Sequence, residues 1–149
     1  MSPGVWGPPI WNLFHTLAAK IREDRYADLG PQLFGYIAKI SRYLPCPHCS
    51  QHATAFFSKI NGNNLKTKND LINTIFILHN IVNKRKEKQL FGPVILEQYN
   101  RKNIIHAYNY FAGAYKTRGN MQLLTDTFQR QLIIADFKRW LMANITAFF

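Results

Sequence analysis

Apolar side chains recur at intervals of three and four along almost the whole chain, and nowhere do they alternate with period two for long. That spacing puts them on one face of a helix, so the pattern predicts an all-α fold with short links between neighbours. Pro8 and Pro9 suit a first turn, and Trp11, Phe14, His15, Ala18 and Ile21 follow at helical spacing. Gly30-Pro31 is read as a break that starts a second helix carrying Leu33, Phe34, Ile37, Ile40 and Tyr43, which Pro45 ends. Cys46-Pro47-His48-Cys49 opens a third helix with Ala53, Phe56, Phe57 and Ile60 as its buried stripe, and 61–64 is a loop. Asp70 lies near the start of a fourth, whose inward positions are Ile72, Ile75, Phe76, His79, Val82 and Asn83. Beyond the Gly92-Pro93 breaker come an aromatic-rich helix over roughly 103–116, with Tyr108, Tyr110, Phe111 and Tyr115, and a last one after Gly119-Asn120. That last helix is expected to put Ile133, Phe137, Trp140, Leu141 and Phe148 on one face, as core or as a dimer contact.

Composition narrows the class. With 47% hydrophobic and 14% aromatic residues in 149, the chain can bury a core and is not a disordered polar tail. No apolar run approaches the roughly 20 residues of a membrane span, because Asn73, His79, Asn80, Asp136, Lys138 and Arg139 interrupt the candidates. The opening MSPGVWGPPIW shows neither the basic start nor the apolar centre of a secretory signal, so no targeting peptide is expected. A formal charge of +11 favours anionic partners without choosing among nucleic acid, phosphorylated cofactor, acidic protein and anionic membrane surface.

The cysteines are more informative. Cys46 and Cys49 are the chain's two, three residues apart, with Pro47 and His48 between them and His52 one turn on. A disulfide-stapled secreted scaffold would use more. At a helix start the partial positive charge favours thiolate, the nucleophile of thiol–disulfide exchange. Three readings compete for the pair. A zinc site could draw on Cys46, His48, Cys49 and His52 but lacks a second, distant cysteine pair, so no metal is expected. A thioredoxin-type motif needs a preceding strand that this helical context does not offer. A dithiol passing electrons to a cofactor held in a helical bundle suits the rest of the chain best.

That rest is a set of flat polar groups beside clustered cations. The fourth helix turns from apolar to polar at His79, Asn80 and Asn83, one turn separating His79 from Asn83, and Lys84-Arg85-Lys86-Glu87-Lys88 follows. Trp11 and His15, at i and i+4, set an aromatic plate and a polar ring on one face of the first helix. Each has an ordinary explanation as core or solvated helix end. Together they match a nucleotide cofactor with a buried ring and phosphates at the rim.

Three motifs then carry a resemblance: Trp6-Gly7-Pro8-Pro9-Ile10-Trp11-Asn12-Leu13-Phe14-His15, Cys46-Pro47-His48-Cys49, and His79-Asn80-Ile81-Val82-Asn83-Lys84. In this order and at these separations the chain, over roughly residues 6–92, resembles the Erv/ALR family of FAD-linked sulfhydryl oxidases. The resemblance implies a four-helix bundle with a short fifth helix, here residues 1–96, followed by a helical extension over 97–149 that the minimal family core lacks. It implies FAD held by Gly7, Trp11, His15, His79, Asn80, Val82 and Asn83, with Lys84 and Lys88 near the phosphates. It implies further that Cys46 exchanges with substrate, that Cys49 lies against the flavin, and that electrons end on oxygen as hydrogen peroxide.

Two departures shape the expected partners. Many members carry a further cysteine pair that relays electrons from substrate; this chain has none, so a thiol-containing protein substrate or an intermediary thiol protein must reach Cys46 directly. Nor is there a cysteine for covalent dimerisation, so the implied homodimer would be non-covalent. Tyr99 falls near the place where some members carry a tryptophan. The compact cysteine set is most similar to the forms found in large DNA viruses, which implies virion proteins as substrates in host cytoplasm; the mitochondrial intermembrane space is the other location implied. The competing function is a basic helical module binding nucleic acid or acidic protein around a structural C-x-x-C, though no nucleic-acid motif supports it.

Overall fold

A computed structural model describes residues 3–115 and 124–148, with side chains described for 7–115 and 126–148. The elements are α1 (Pro3–Lys20), α2 (Glu23–Arg42), α3 (Pro47–Ser58), a 3-10 turn (Gly62–Asn64), α4 (Lys68–Arg85), a 3-10 helix (Pro93–Arg101), α5 (Ile104–Tyr115), α6 (Leu124–Ala143) and a closing 3-10 turn (Ile145–Ala147). The all-α expectation holds: α1 to α4 form the bundle and the Pro93–Arg101 helix is the short fifth element. The Gly119-Asn120 break lies outside the described residues.

Helix ends are set by chemistry readable in the chain. Thr67 caps α4, its hydroxyl accepting from Asp70 N–H while the Asp70 carboxylate accepts from Thr67 N–H, so two orphan donors are satisfied reciprocally. In the same turn Lys68 Nζ donates to the carbonyls of Ala19 and Ile21, 3.0 Å each, and so closes the C-terminal end of α1. Gly92-Pro93, expected only as a breaker, also opens the 3-10 helix, with Pro93 in its first turn.

Two breakers act otherwise than expected. The first helix begins at Pro3, so Pro8 and Pro9 lie inside it rather than in its first turn. Gly30-Pro31 lies inside α2, and the chain turns instead at Ile21-Arg22, ahead of Glu23 and Asp24 in the first turn. Packing overrides the local signal. A Cβ on Gly30 would stand 2.6 Å from the Tyr26 ring, so glycine lets that ring lie flat on the helix, and Tyr26 Oη donates to Leu65 O at 3.0 Å.

The inward face of α4 keeps Ile75 and Asn83 of the expected positions and is otherwise rotated. Leu71, Ile75 and Leu78 are buried, whereas Ile72 and Phe76 are half-buried. Leu71, Ile75 and Leu78 join the core that α4 shares with α1 and α2. In α6, Ile133, Phe137 and Leu141 enter the core with Ile134; Trp140 is half-buried; Phe148 lies beyond the helix and pairs its backbone with Ile21. The aromatic face of α5 (Tyr108, Phe111, Tyr115) is buried and Tyr110 exposed. One hydrophobic cluster takes in residues from α1 through Phe148, so the extension shares the bundle's core. Each fully buried Leu, Ile or Phe in it contributes about 1.5–3 kcal/mol.

The extension also reaches the segment before the cysteines. Tyr115 Oη donates to Ile40 O at 2.9 Å, and the buried guanidinium of Arg130 donates to Tyr43 O at 3.4 Å and to Thr127 Oγ1 at 3.0 Å. Ile40 O, which also accepts from Tyr43 N–H, and Tyr43 O just past the end of α2 are thus tied to α5 and α6. No described helix is long and apolar enough to cross a membrane.

Candidate active site

Pro47 occupies the first turn of α3 and Cys46 its N-cap, where the Cys46 sulfur accepts from Cys49 N–H at 3.3 Å. The two sulfurs are 2.6 Å apart and both cysteines are free and half-buried. A disulfide needs about 2.05 Å, so closing the bond asks for little more than side-chain rotation. The two thiols differ in surroundings. Burial, followed by the hydrogen bond and charge of Cys46, pushes the Cys49 thiol up to about 11, while Lys86 pulls it back.

Cys49, not Cys46, lines the larger cavity. That space measures about 570 Å³, within the range of small-molecule sites. Gly7, Trp11 and Phe14 of α1, Ser41 and Leu44 at the end of α2, Ala53 and Phe56 of α3, and Leu78, Ile81 and Val82 of α4 form its walls. Ile10, Ala55, His48, His52, Lys59, Arg85 and Lys86 complete it with Cys49. Ser41, Leu44, Ala55, Phe56 and Lys59 were not visible as site residues in the sequence. Arg85 and Lys86 belong to the cationic run, whose inward side follows from how α4 ends. Glu87 takes a left-handed φ of 57°, Lys88 N–H bonds Asn83 O at 2.8 Å and Glu87 N–H bonds Lys84 O, a Schellman closure without glycine. Lys84 and Lys88 are exposed and do not line the cavity.

Beside the cavity lies a column of rings. Trp11 stacks on His79 with centroids 4.1 Å apart and planes 6° from parallel; His15 Nε2 and His79 Nδ1 are 2.9 Å apart; Tyr99 stacks on His15 at 4.6 Å. One ring must accept in the His15–His79 bond and is neutral there, and burial disfavours the charged form of both. Burial and then His79 lower His15 to about 3, and burial and then Lys88 and Lys86 lower His79 to about 4. Tyr99, to which the sequence assigned no role, is buried as part of this column. A smaller cavity of about 250 Å³ opens beyond it, between His15, Asn69, Asn73, Glu97, Tyr99 and Asn100.

Of the other predicted residues, Asn80 grips the chain after α4, its amide nitrogen donating to Phe91 O and its oxygen accepting from Phe91 N–H. Asn83 is 6% exposed, and its side-chain nitrogen has no hydrogen-bond partner. His48 and His52 meet through Nε2 atoms 3.0 Å apart, one turn above the cysteine pair. Among the described residues no group of three or more His, Cys, Asp or Glu is placed to hold a metal.

This geometry is a dithiol whose inner sulfur faces an apolar chamber walled by the first and third motifs. The Erv1/Alr family model matches residues 8–101. The chain belongs to the Erv1/Alr family. Among its relatives, the FAD-linked sulfhydryl oxidase of African swine fever virus (isolate Pig/Kenya/KEN-50/1950) is 28% identical over 116 residues, 75% of this chain and 97% of the relative. The enzyme of the Tick/Malawi/Lil 20-1/1983 isolate is 26% identical over the same length and shares. The 096R protein of Invertebrate iridescent virus 3 is 26% identical over 101 residues, 66% of this chain and 68% of the relative. No solved structure gives a significant match.

Proposed function

We propose that this Erv1/Alr chain, a thiol oxidase with FAD as its cofactor, forms disulfides in protein substrates through Cys46 and Cys49 and gives the electrons to oxygen. The observation that carries the reading is the asymmetry of the pair: two sulfurs 2.6 Å apart, of which Cys49 alone lines the 570 Å³ cavity.

The residues present fit a flavin nucleotide. The chamber is walled largely by apolar side chains, with Trp11 as an aromatic plate. Gly7 is buried against it, and a Cβ there would meet nothing within 4 Å beyond its chain neighbours. The buried Asn83 amide nitrogen is a donor without an acceptor, a state that costs about 1–3 kcal/mol unless a ligand supplies one. Gly7, Trp11 and Val82, which line the chamber, would hold the ring system, and the His79 ring behind Trp11 and the unpaired Asn83 amide its polar edges; Asn80 is engaged with Phe91, and Lys84 and Lys88 stand outside the chamber, so Arg85 and Lys86 in its wall would meet the phosphates. The chemistry FAD supplies when bound is two-electron acceptance from the dithiol and delivery to dioxygen, released as hydrogen peroxide.

The protein's own part is thiol exchange. A substrate thiolate attacks Cys46 of the Cys46–Cys49 disulfide; a substrate–Cys46 bond forms and Cys49 leaves with the electron pair. The second substrate thiolate attacks its partner sulfur and releases Cys46, so two electrons and two protons have moved from substrate to the pair. Lys86 favours Cys49 as the departing thiolate, opposing the burial that would otherwise keep it protonated. Substrates come from the cytoplasm of an infected cell, and two chains associate non-covalently; these parts of the reading rest on the likeness to viral relatives and on both cysteines being engaged in the redox pair.

Oxygen uptake with dithiothreitol, and peroxide formed, test the reading. The wild type should consume one oxygen per disulfide, and Cys46→Ser and Cys49→Ser should each lose at least about 10³-fold in rate while remaining folded by circular dichroism. Undiminished uptake in either variant would refute the assignment.

A further inference from the structure

His48 and His52 stand four residues apart on α3, a spacing that puts both imidazoles on one face of the helix. Their Nε2 atoms lie 3.0 Å apart, with ring centroids at 4.3 Å and planes at 89°. One of the two nitrogens must accept in that contact, so at least one ring is neutral. His48 is exposed and His52 half-buried, which leaves the pair open to solvent on the rim of the chamber that Cys49 faces. The thiol exchange described above uses neither ring. Of the other three histidines, His15 and His79 bond each other inside the ring column, and His106 lies on α5.

We propose that His48 and His52 form a two-histidine site for a divalent transition-metal ion, which bridges their Nε2 atoms in place of the hydrogen bond. Neutral imidazole is a ligand for Cu2+, Ni2+ and Zn2+, and two histidines at i and i+4 on one helix face are a recurrent chelate. The spacing selects among these ions. At a metal–nitrogen distance of about 2.0–2.1 Å, two nitrogens 3.0 Å apart subtend about 90–97° at the ion. That is the cis angle of a square-planar or octahedral ion; a tetrahedral one would need the nitrogens about 3.3–3.4 Å apart. Cu2+ and Ni2+ therefore fit the rings as they stand. Among the described residues no third His, Cys, Asp or Glu completes a cluster, so water fills the remaining positions and the ion exchanges. Lys59, Arg85 and Lys86 share the chamber wall and repel a dication, which also makes the site exchangeable rather than structural. The site stands on its own geometry and does not rest on the oxidase reading.

The test uses the tag-free, FAD-loaded full chain with Cys46 and Cys49 oxidised to their disulfide, so that no thiol competes for the metal. Calorimetric titration with NiCl2 should give one ion per chain with a Kd below about 0.1 mM. His48→Asn and His52→Asn should each raise that Kd at least about tenfold, whereas His106→Asn should leave it unchanged. Mn2+, at the weak end of the affinity order for such ligands, should bind at least about tenfold less tightly than Ni2+. Electron paramagnetic resonance of bound Cu2+ should show two equatorial imidazole nitrogens in the wild type and fewer in His48→Asn. No Ni2+ uptake, uptake that survives either substitution, or an equal loss in His106→Asn would overturn the proposal. Should His52→Asn unfold or lose its flavin absorbance, His48→Asn, at an exposed position, decides. A colourless chain that still binds Ni2+ through both rings would leave the proposal standing and the oxidase reading refuted.

Discussion

Mild acid should destabilise this protein steeply, and His15 is the principal cause. The His15 ring is 4% exposed, shares one N–H with His79 across 2.9 Å, and is held at a pKa of about 3 instead of 6.5. Between those values the unfolded chain binds a proton that the folded chain refuses. The contribution is therefore full above pH 6.5 and is lost progressively as pH falls towards 3. Each pH unit in that window costs about 1.4 kcal/mol per proton, so His15 alone removes about 2 kcal/mol between pH 6.5 and 5. His79, lowered to about 4 but half-buried, adds a smaller loss over the same interval. Urea unfolding followed by circular dichroism at several pH values measures the slope. His15→Gln keeps a hydrogen-bonding group near the Nε2 position and cannot titrate, so it should be less stable than wild type at pH 7.5 yet lose about 2 kcal/mol less on going to pH 5. Parallel curves for the two proteins would refute the argument.

Other perturbations follow from the same contacts. Trp11→Ala, by removing the plate that lines the cavity and stacks on His79, should raise the Kd for FAD at least about tenfold, read by flavin fluorescence. Arg130→Ala removes a buried guanidinium that bonds Tyr43 O and Thr127 Oγ1 and lies over the Tyr115 ring; thermal unfolding should show a loss of about 2–4 kcal/mol, and dithiol exchange at Cys46 should slow as the 43–45 segment loosens. Glu87→Gly relieves a left-handed residue at the Schellman closure and should raise stability by about 0.5–1 kcal/mol in urea. Gly30→Ala sets a methyl against the buried Tyr26 ring and should cost about 1–3 kcal/mol by the same assay.

What could be read from the chain and what could not divide along physical lines. The three motifs were legible because helical spacing alone brings Trp11 beside His15 and His79 beside Asn83, and packing α1 on α4 then joins them. The cysteine turn was legible because Pro47 and the N-cap geometry are local. Gly30-Pro31 was misread because a local breaker signal was outweighed by Tyr26 packing on the glycine, a contact set by tertiary structure. The face of α4 was misplaced because Leu71, Ile72, Ile75, Phe76, Ile77 and Leu78 surround the helix, so periodicity could not choose the side. Lys84 and Lys88 were expected at the site, while Arg85 and Lys86 line the cavity; the left-handed Glu87 that shapes the end of that run has no signature of its own. Tyr99 joined the ring column through a 3-10 helix whose packing on α1 no sequence pattern announced.

The central claim is that electrons pass from a dithiol through Cys49 into the chamber this sulfur faces. Anaerobic addition of dithiothreitol to the purified protein, watched at flavin wavelengths, tests it directly. The account predicts a yellow protein that bleaches within the turnover time in the wild type and at least about 10³-fold more slowly in Cys49→Ala. A colourless protein, or a Cys49→Ala variant that bleaches as fast as the wild type, would contradict it.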